Sequence, residues 1–467
     1  MLPPHKKCFT KRLHHWKMKD KNSSRRRFIE KNLFAASGVM LSGGVGCNNN
    51  NQNKPGAEQA SRADRKKIGD LSLEQLRDEY KAALFKRFLP NMDSFVIDKQ
   101  YGGFMCDVDI STSKLRSTNK SAWFEGRGMW TYSFLYNNLE KNPHYLEVAR
   151  KSKDFIIPHL PKDDRFFVGG YSREGKPLSS GEGDIYGSLF VGEGLAEFSK
   201  ASGEKQYLAL AKKLTLSALD RYDRSDYKYP SSYGLSGAPE IPAPRVNGHW
   251  MVFLRSATQI LEQEPDPAIQ SIADRCIDAI MKYHLNAAYK LINEKLNHDM
   301  SLPDNEWAEF CYLGHGIETL WMVMAEAVRR KDRALFNDAA EAFKRHVTVA
   351  TDTVYGGVFR SLDNVNKYIF KPDKVLWEQE EVLIGAMLLI EHTDDEWARE
   401  RFAETYAYIK DKYVHPEYAF VVESGDRKMD KYSIYRAEHY HHPRRLMLNL
   451  LALDRMIKRD GKVSNVL

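Results

Sequence analysis

Cysteine is scarce, with five in 467 residues, and two of them, Cys8 and Cys47, lie in a leader. Cys106, Cys276 and Cys311 have no close partner in sequence, which excludes a disulfide framework and a Cys-ligated zinc site and leaves them as small buried apolar residues. No His-x-x-x-His pair occurs either, so no metal centre is expected. Long apolar runs are also missing: the best stretch, 33–41, is short and broken by Ser37 and Gly38, too weak to span a bilayer comfortably. Net charge is absent from the body. Residues 1–47 carry 11 Lys/Arg against 2 Asp/Glu and the rest of the chain 59 against 61, so the overall +7 belongs to the leader. A body at about −2 offers no electrostatic case for binding nucleic acid or an anionic membrane.

The leader reads Ser24-Arg25-Arg26-Arg27-Phe28-Ile29-Glu30, followed by the modestly apolar run. It resembles a bacterial twin-arginine export signal, departing from the usual pattern at Ile29 and Glu30. Cys47 then stands where a lipoprotein signal would carry its lipid, although Gly44 replaces the usual aliphatic residue. Two outcomes are expected: attachment to a membrane solely through a lipid on Cys47, or release into the periplasm. The asparagine-rich stretch that follows, to about residue 70, reads as a polar tether that does not fold.

From 71 to 460 the chain shows no second linker, and helical periodicity recurs twelve times, over 72–89, 120–140, 142–158, 182–201, 204–220, 246–263, 266–284, 309–330, 332–350, 376–391, 394–412 and 438–459. Odd-numbered segments are amphipathic; even-numbered ones are more apolar and carry the unusual residues. Long connections with glycine-aromatic signals, such as Tyr101-Gly102-Gly103-Phe104 and Tyr355-Gly356-Gly357, precede the even segments, and short ones follow them. Short links imply antiparallel neighbours, hence a helical hairpin repeated six times. Arg127, Asp184, His249, His315, Glu381 and His441 recur at this spacing near the starts of the even segments. The expectation is an all-α, closed (α/α)6 barrel forming one domain, its long loops and inner-helix entrances on one rim.

That rim gathers chemistry. His315 and Glu318, spaced i, i+3, share a helix face at the start of a buried helix. Arg127 offers a planar fork of donors, and Trp123 and Trp130 offer flat faces, which suits a sugar; pairing of Arg127 with a nearby carboxylate is the plainer alternative. Asp184 is placed to cap its helix. Pro443 suits a first helical turn and so puts His441 at a helix start, where the dipole keeps an imidazole neutral and able to accept a proton.

Trp123-x-x-Gly126-Arg127-x-x-Trp130, Asp184-x-Tyr186-Gly187, Gly314-His315-x-Ile317-Glu318-x-x-Trp321, Leu376-Trp377-x-Gln379-x-Glu381 and Tyr440-His441-x-Pro443-Arg444, in this order, resemble the N-acylglucosamine 2-epimerase family, which includes cellobiose 2-epimerases and aldose–ketose isomerases. The resemblance covers about residues 72–459 and implies the same barrel and a cofactor-independent proton transfer at C2 of an open-chain reducing sugar or N-acylated amino sugar. By resemblance His315 and His441 are the acid/base pair, and Trp123, Arg127, Tyr186, His249, Glu318, Trp377, Glu381 and Arg444 hold the sugar. The chain departs where sub-groups differ: Asn247-Gly248-His249-Trp250-Met251 has Met251 where cellobiose epimerases and the isomerases show a second histidine. Two other readings stay open, a glycoside hydrolase or lyase on the same barrel and a sugar-binding protein without turnover. Self-association as a homodimer is left open too.

Overall fold

The computed structural model describes residues 65–229 and 234–467. The leader expected to direct export, with Cys8, Cys47 and most of the expected tether, lies outside the described residues. Chain contacts divide the protein into Met1–Ala57 and Glu58–Leu467, and only the second unit is described below.

Twelve helices form six hairpins. The outer ones carry apolar stripes and ordinary caps. α1 runs from Leu73–Lys81 through a π-helical stretch, Ala82–Phe88, to Leu89–Phe95, and opens on a capping box in which Ser72 and Gln75 each accept the other's backbone N–H. α3 (Pro143–Ile156), α5 (Lys205–Tyr222), α7 (Pro267–Asp278, prolonged by a π-helical Ala279–His284), α9 (Arg333–Ala350) and α11 (Glu396–Lys412) complete the outer set. In α9 the buried residues Phe336, Ala339, Ala340, Phe343 and Val347 fall three or four apart, one face of a helix.

The inner helices are α2 (Ala122–Asn138), α4 (Ile185–Ser202), α6 (Asn247–Leu261), α8 (Leu313–Arg330), α10 (Leu376–Thr393) and α12 (His441–Lys458). Neighbours on both sides leave them no solvent stripe: α6 is buried at every residue from Asn247 to Ile260. Backbones approach closely where glycine permits. A Cβ on Gly126 of α2 would lie 2.3 Å from the Phe190 carbonyl carbon of α4. The last inner helix returns to the first, with Tyr440 set edge-on against Trp130 at 5.4 Å and Thr131 Oγ1 donating to the His439 carbonyl at 3.1 Å. The ring is closed, an (α/α)6 barrel.

The long loops hold short antiparallel pairs that fix the inner-helix starts. Arg245–Val246, just before α6, pairs with Lys295–Leu296, and Lys374–Val375, just before α10, pairs with Ser424–Gly425. Two glycine-aromatic loops are pinned alike. Asp98 accepts from Lys120 Nζ at 3.0 Å and from Arg173 Nε at 2.8 Å; Asp352 accepts from Lys374 Nζ at 3.3 Å and from Arg427 Nε at 2.7 Å. Although burial opposes it, these cations hold both carboxyls below the usual carboxylate range. Trp123 and Trp377, each three residues beyond its pinned lysine, take equivalent places at the mouth.

Candidate active site

α8 and α12 present one histidine each. His315 lies in the first turn of α8, and its Nδ1 donates to Glu294 Oε1 at 2.8 Å. Glu294 is 1 % exposed and is held there by the strand pairing ahead of α6, where its carbonyl accepts the Asn247 N–H at 2.9 Å. Burial works against a charged imidazole, but the Glu294 carboxylate, with Glu318 behind it, outweighs burial and raises the His315 pKa above its ordinary value.

His441 is the first residue of α12, and its backbone N–H donates to Glu438 Oε1 at 2.9 Å. Its Nδ1 faces Glu381 Oε1 and Arg444 Nη2, each at 3.0 Å. Arg444 Nη2 has two hydrogens, and two carboxylate oxygens take them, Glu318 Oε1 at 2.5 Å and Glu381 Oε1 at 2.7 Å. The Nδ1 proton is therefore the imidazole's own, donated to Glu381, and Nε2 is the acceptor. Burial first, and then Arg444 against the partial opposition of Glu318, depresses this histidine to about 3. It is neutral, as its helix-start position suggested, but burial is the larger cause.

Trp377 lies against both imidazoles, with ring centroids 5.8 Å from His315 and 5.2 Å from His441. The side chains of His315 and His441 keep 12 % and 8 % of their surface exposed. Glu381 is fixed further by the Trp321 indole N–H at 2.6 Å, and burial pushes its carboxyl up while Arg444 pulls it back. Glu318, Glu381 and His441 lie close enough to hold a divalent metal. The Arg444 guanidinium already supplies the positive charge between the two carboxylates.

Arg127 is 8 % exposed and boxed by three rings, its guanidinium carbon 4.1 Å from the centre of Phe190, 4.8 Å from Tyr440 and 5.0 Å from Trp123. It makes no ion pair among the described residues, and its Nε finds no hydrogen-bond partner, so the carboxylate pairing considered as the plainer alternative is not what holds it. Trp123 donates its indole N–H to Asp184 Oδ1 at 2.8 Å; Asp184 stands at the start of α4, but its side chain makes no cap hydrogen bond among the described residues, so holding Trp123 replaces the capping expected of it. Below Arg127 a small cavity is lined by Phe190, Glu193, Met251, Arg255, Glu318 and Arg444. Tyr440 closes it, its hydroxyl donating to the Glu193 carboxylate at 2.8 Å.

Of the residues expected to gather, Trp123, Arg127, Tyr186, Glu318, Trp377, Glu381, Arg444 and the two histidines surround this region. Two stand apart. Trp130 is fully buried in the core against Phe134. His249 is 0 % exposed, enclosed by Tyr186, Tyr222, Tyr227 and Tyr229, with neither ring nitrogen hydrogen-bonded among the described residues. Burial holds its pKa well below the ordinary value, so it backs the wall formed by Tyr186 and does not offer a titrating group. Glu294 and Glu193 escaped sequence reasoning. Glu294 sits in an irregular loop with no periodicity around it, and Glu193 lies amid an apolar inner helix.

Residues 102–441 match the model of the N-acylglucosamine 2-epimerase (GlcNAc 2-epimerase) family. A cellobiose 2-epimerase of Bacteroides fragilis is 24 % identical over 360 residues, covering 72 % of this chain and 88 % of that protein. The N-acylglucosamine 2-epimerase of Bos taurus is 22 % identical over 333 residues, covering 69 % and 77 %. The solved structure of a cellobiose 2-epimerase from Spirochaeta thermophila superposes with a TM-score of 0.69 at 20 % identity, covering 82 % of this chain and 98 % of that one, a likeness of fold. The chain belongs to the N-acylglucosamine 2-epimerase family.

Proposed function

We propose that the protein is a sugar 2-epimerase or aldose–ketose isomerase, acting on the open-chain form of a reducing sugar or N-acylated amino sugar. The observation that carries this reading is a pair of histidines set against one indole, whose surroundings shift their proton affinities in opposite directions. Groups whose surroundings drive their pKa values apart divide naturally into acid and base. His441 Nε2 takes the C2 proton, made acidic by the adjacent carbonyl. The electron pair moves onto the carbonyl oxygen, and Arg127, with donors unspent, faces the resulting enediolate. Glu381 and Glu318, 3.0 and 3.9 Å from His441 Nδ1, stabilise the imidazolium as it forms. His315, whose proton affinity Glu294 raises, returns a proton to the opposite face of C2 for epimerisation; delivery to C1, with the O2 proton moving to O1, would give the ketose. The names of the relatives support the sugar class.

Hydrolysis fits less well. It calls for two carboxyls flanking a glycosidic bond, whereas Glu318 and Glu381 converge on one guanidinium nitrogen. Incubation with reducing sugars in deuterium oxide tests the proposal: deuterium is expected at C2, and turnover without any incorporation would reject proton transfer. The leader supports a periplasmic or lipid-anchored location. Export is expected to fail when Arg25 and Arg26 are replaced by glutamine, and undiminished export would reject that part.

A further inference from the structure

Glu380 and Glu381 are adjacent on α10, and each meets a histidine and an arginine of α12. Glu381 binds His441 and Arg444; Glu380 binds His442, Nδ1 to Oε1 at 2.6 Å, and Arg445, Nε to Oε1 at 3.2 Å. The two groups stand back to back, and the mechanism uses only the first. Burying a second charged group is costly unless something gains from it, and Glu380 Oε2 still lacks a partner among the described residues.

The second group opens away from the barrel interior. His442 and Arg445, 7 % and 3 % exposed, line a cavity of about 300 Å³ between α1, α11 and α12, at the lower end of small-molecule sites. Its walls are apolar, from Ala83, Phe88, Ile409, Val414 and Leu446. Ala83 and Phe88 belong to the π-helical stretch of α1, a local widening that often marks function. Among the lining residues Arg87, Lys410 and Arg445 stand with one carboxylate, Glu79, which is already taken by Tyr406 Oη at 2.6 Å and Lys410 Nζ at 2.9 Å, while Glu380 holds Arg445 from outside the lining. Arg87 spends its Nη2 on the carbonyls of His415 and Tyr418, and Glu417, outside the lining, acts on its charge. The result is an apolar slot whose lining carries three cationic side chains against one carboxylate, with the buried Arg445 guanidinium at its end.

We propose that this cavity binds a small amphipathic carboxylate, its head at Arg445 and His442 and its chain along Ala83, Phe88 and Leu446. The proposal is independent of the activity proposed for the barrel interior. Calorimetric titration of the full chain with octanoate, octan-1-ol and octylamine tests it. Octanoate is expected to bind saturably and about tenfold or more tighter than the alcohol or the amine. Two substitutions that fill the slot from different sides, Ala83→Phe and Val414→Phe, are expected to weaken octanoate at least about tenfold in protein that still melts cooperatively. Absence of saturable binding, equal affinity for the alcohol or amine, or undiminished octanoate binding in a folded variant of either kind overturns it.

Discussion

His315 and His441 occupy nearly the same point on two inner helices, yet their surroundings drive them opposite ways. A helix start disfavours an imidazolium at both. What differs is the company. His315 faces Glu294, which pairs with no lysine or arginine among the described residues, while the carboxylates beside His441 are already claimed by Arg444. Counter-charge, more than position, sets the role of each histidine, and the comparison can be broken from either end.

The largest effect is expected from removing the base. His441→Ala should reduce deuterium incorporation at C2 by about a thousandfold or more, toward the upper range of general-base contributions, while circular dichroism and melting stay close to the parent. Retained exchange would reject His441 as the base.

Arg444→Met should make the His441 end resemble the His315 end. With the guanidinium gone, Glu318 and Glu381 lose their shared cation, and the His441 pKa is expected to rise when followed by NMR titration of its ring proton. Two buried carboxylates left unpaired should cost about 3–5 kcal/mol of unfolding free energy, read by denaturant titration. A variant as stable as the parent would mean that the cluster has an alternative way to pair.

How far the sequence reaches can be judged at these same two ends. The twelve helices were legible because burial writes a period: an outer helix such as α9 shows its stripe, and an inner helix such as α6 lacks a charged face, with Arg255 its one Lys, Arg, Asp or Glu. His315, Glu318, Glu381, His441 and Arg444 were legible because all lie at inner-helix starts, which a sixfold repeat sends to one rim. Their bonding was not, since Arg444 could equally have met the substrate alone. Glu294 was out of reach because a two-residue strand pairing, Arg245–Val246 with Lys295–Leu296, carries it to His315, and so short a pair leaves no pattern. His249 misled in the opposite direction: it has the right spacing but sits behind Tyr186, among tyrosines contributed partly by the irregular segment after α5. Periodicity locates the backbone of a side chain and says nothing of which ring stands in front of it.

Glu294→Gln is the intermediate test, since it removes the counter-charge and keeps the shape. The His315 pKa is expected to fall, so the alkaline limb of the kcat/KM profile, which reports loss of the protonated acid, should move to lower pH. At neutral pH the rate should drop about tenfold. Stability follows the same linkage. A histidine whose folded pKa is raised contributes stability that is complete below its unfolded value near 6.5 and lost as pH rises through the folded one. The parent's advantage over the variant should therefore be larger at pH 5 than at pH 9. An unmoved alkaline limb would take the acid role from His315.

Gly248→Ala should give the smallest effect and confine it to one end. A Cβ there would lie 2.3 Å from Tyr186 Oη and 3.0 Å from His315 Cε1, and Tyr186 is hemmed in by Trp123, Phe190 and His249. Either the tyrosine or the imidazole must give way, at a cost of about 1 kcal/mol in stability. Displacing His315 from Glu294 should lower its pKa slightly and reduce kcat/KM a few-fold, whereas the His441 titration should not change. If the two histidines shifted together, the cavity would have to be a single coupled unit, and the assignment of acid and base to separate counter-charges would fail.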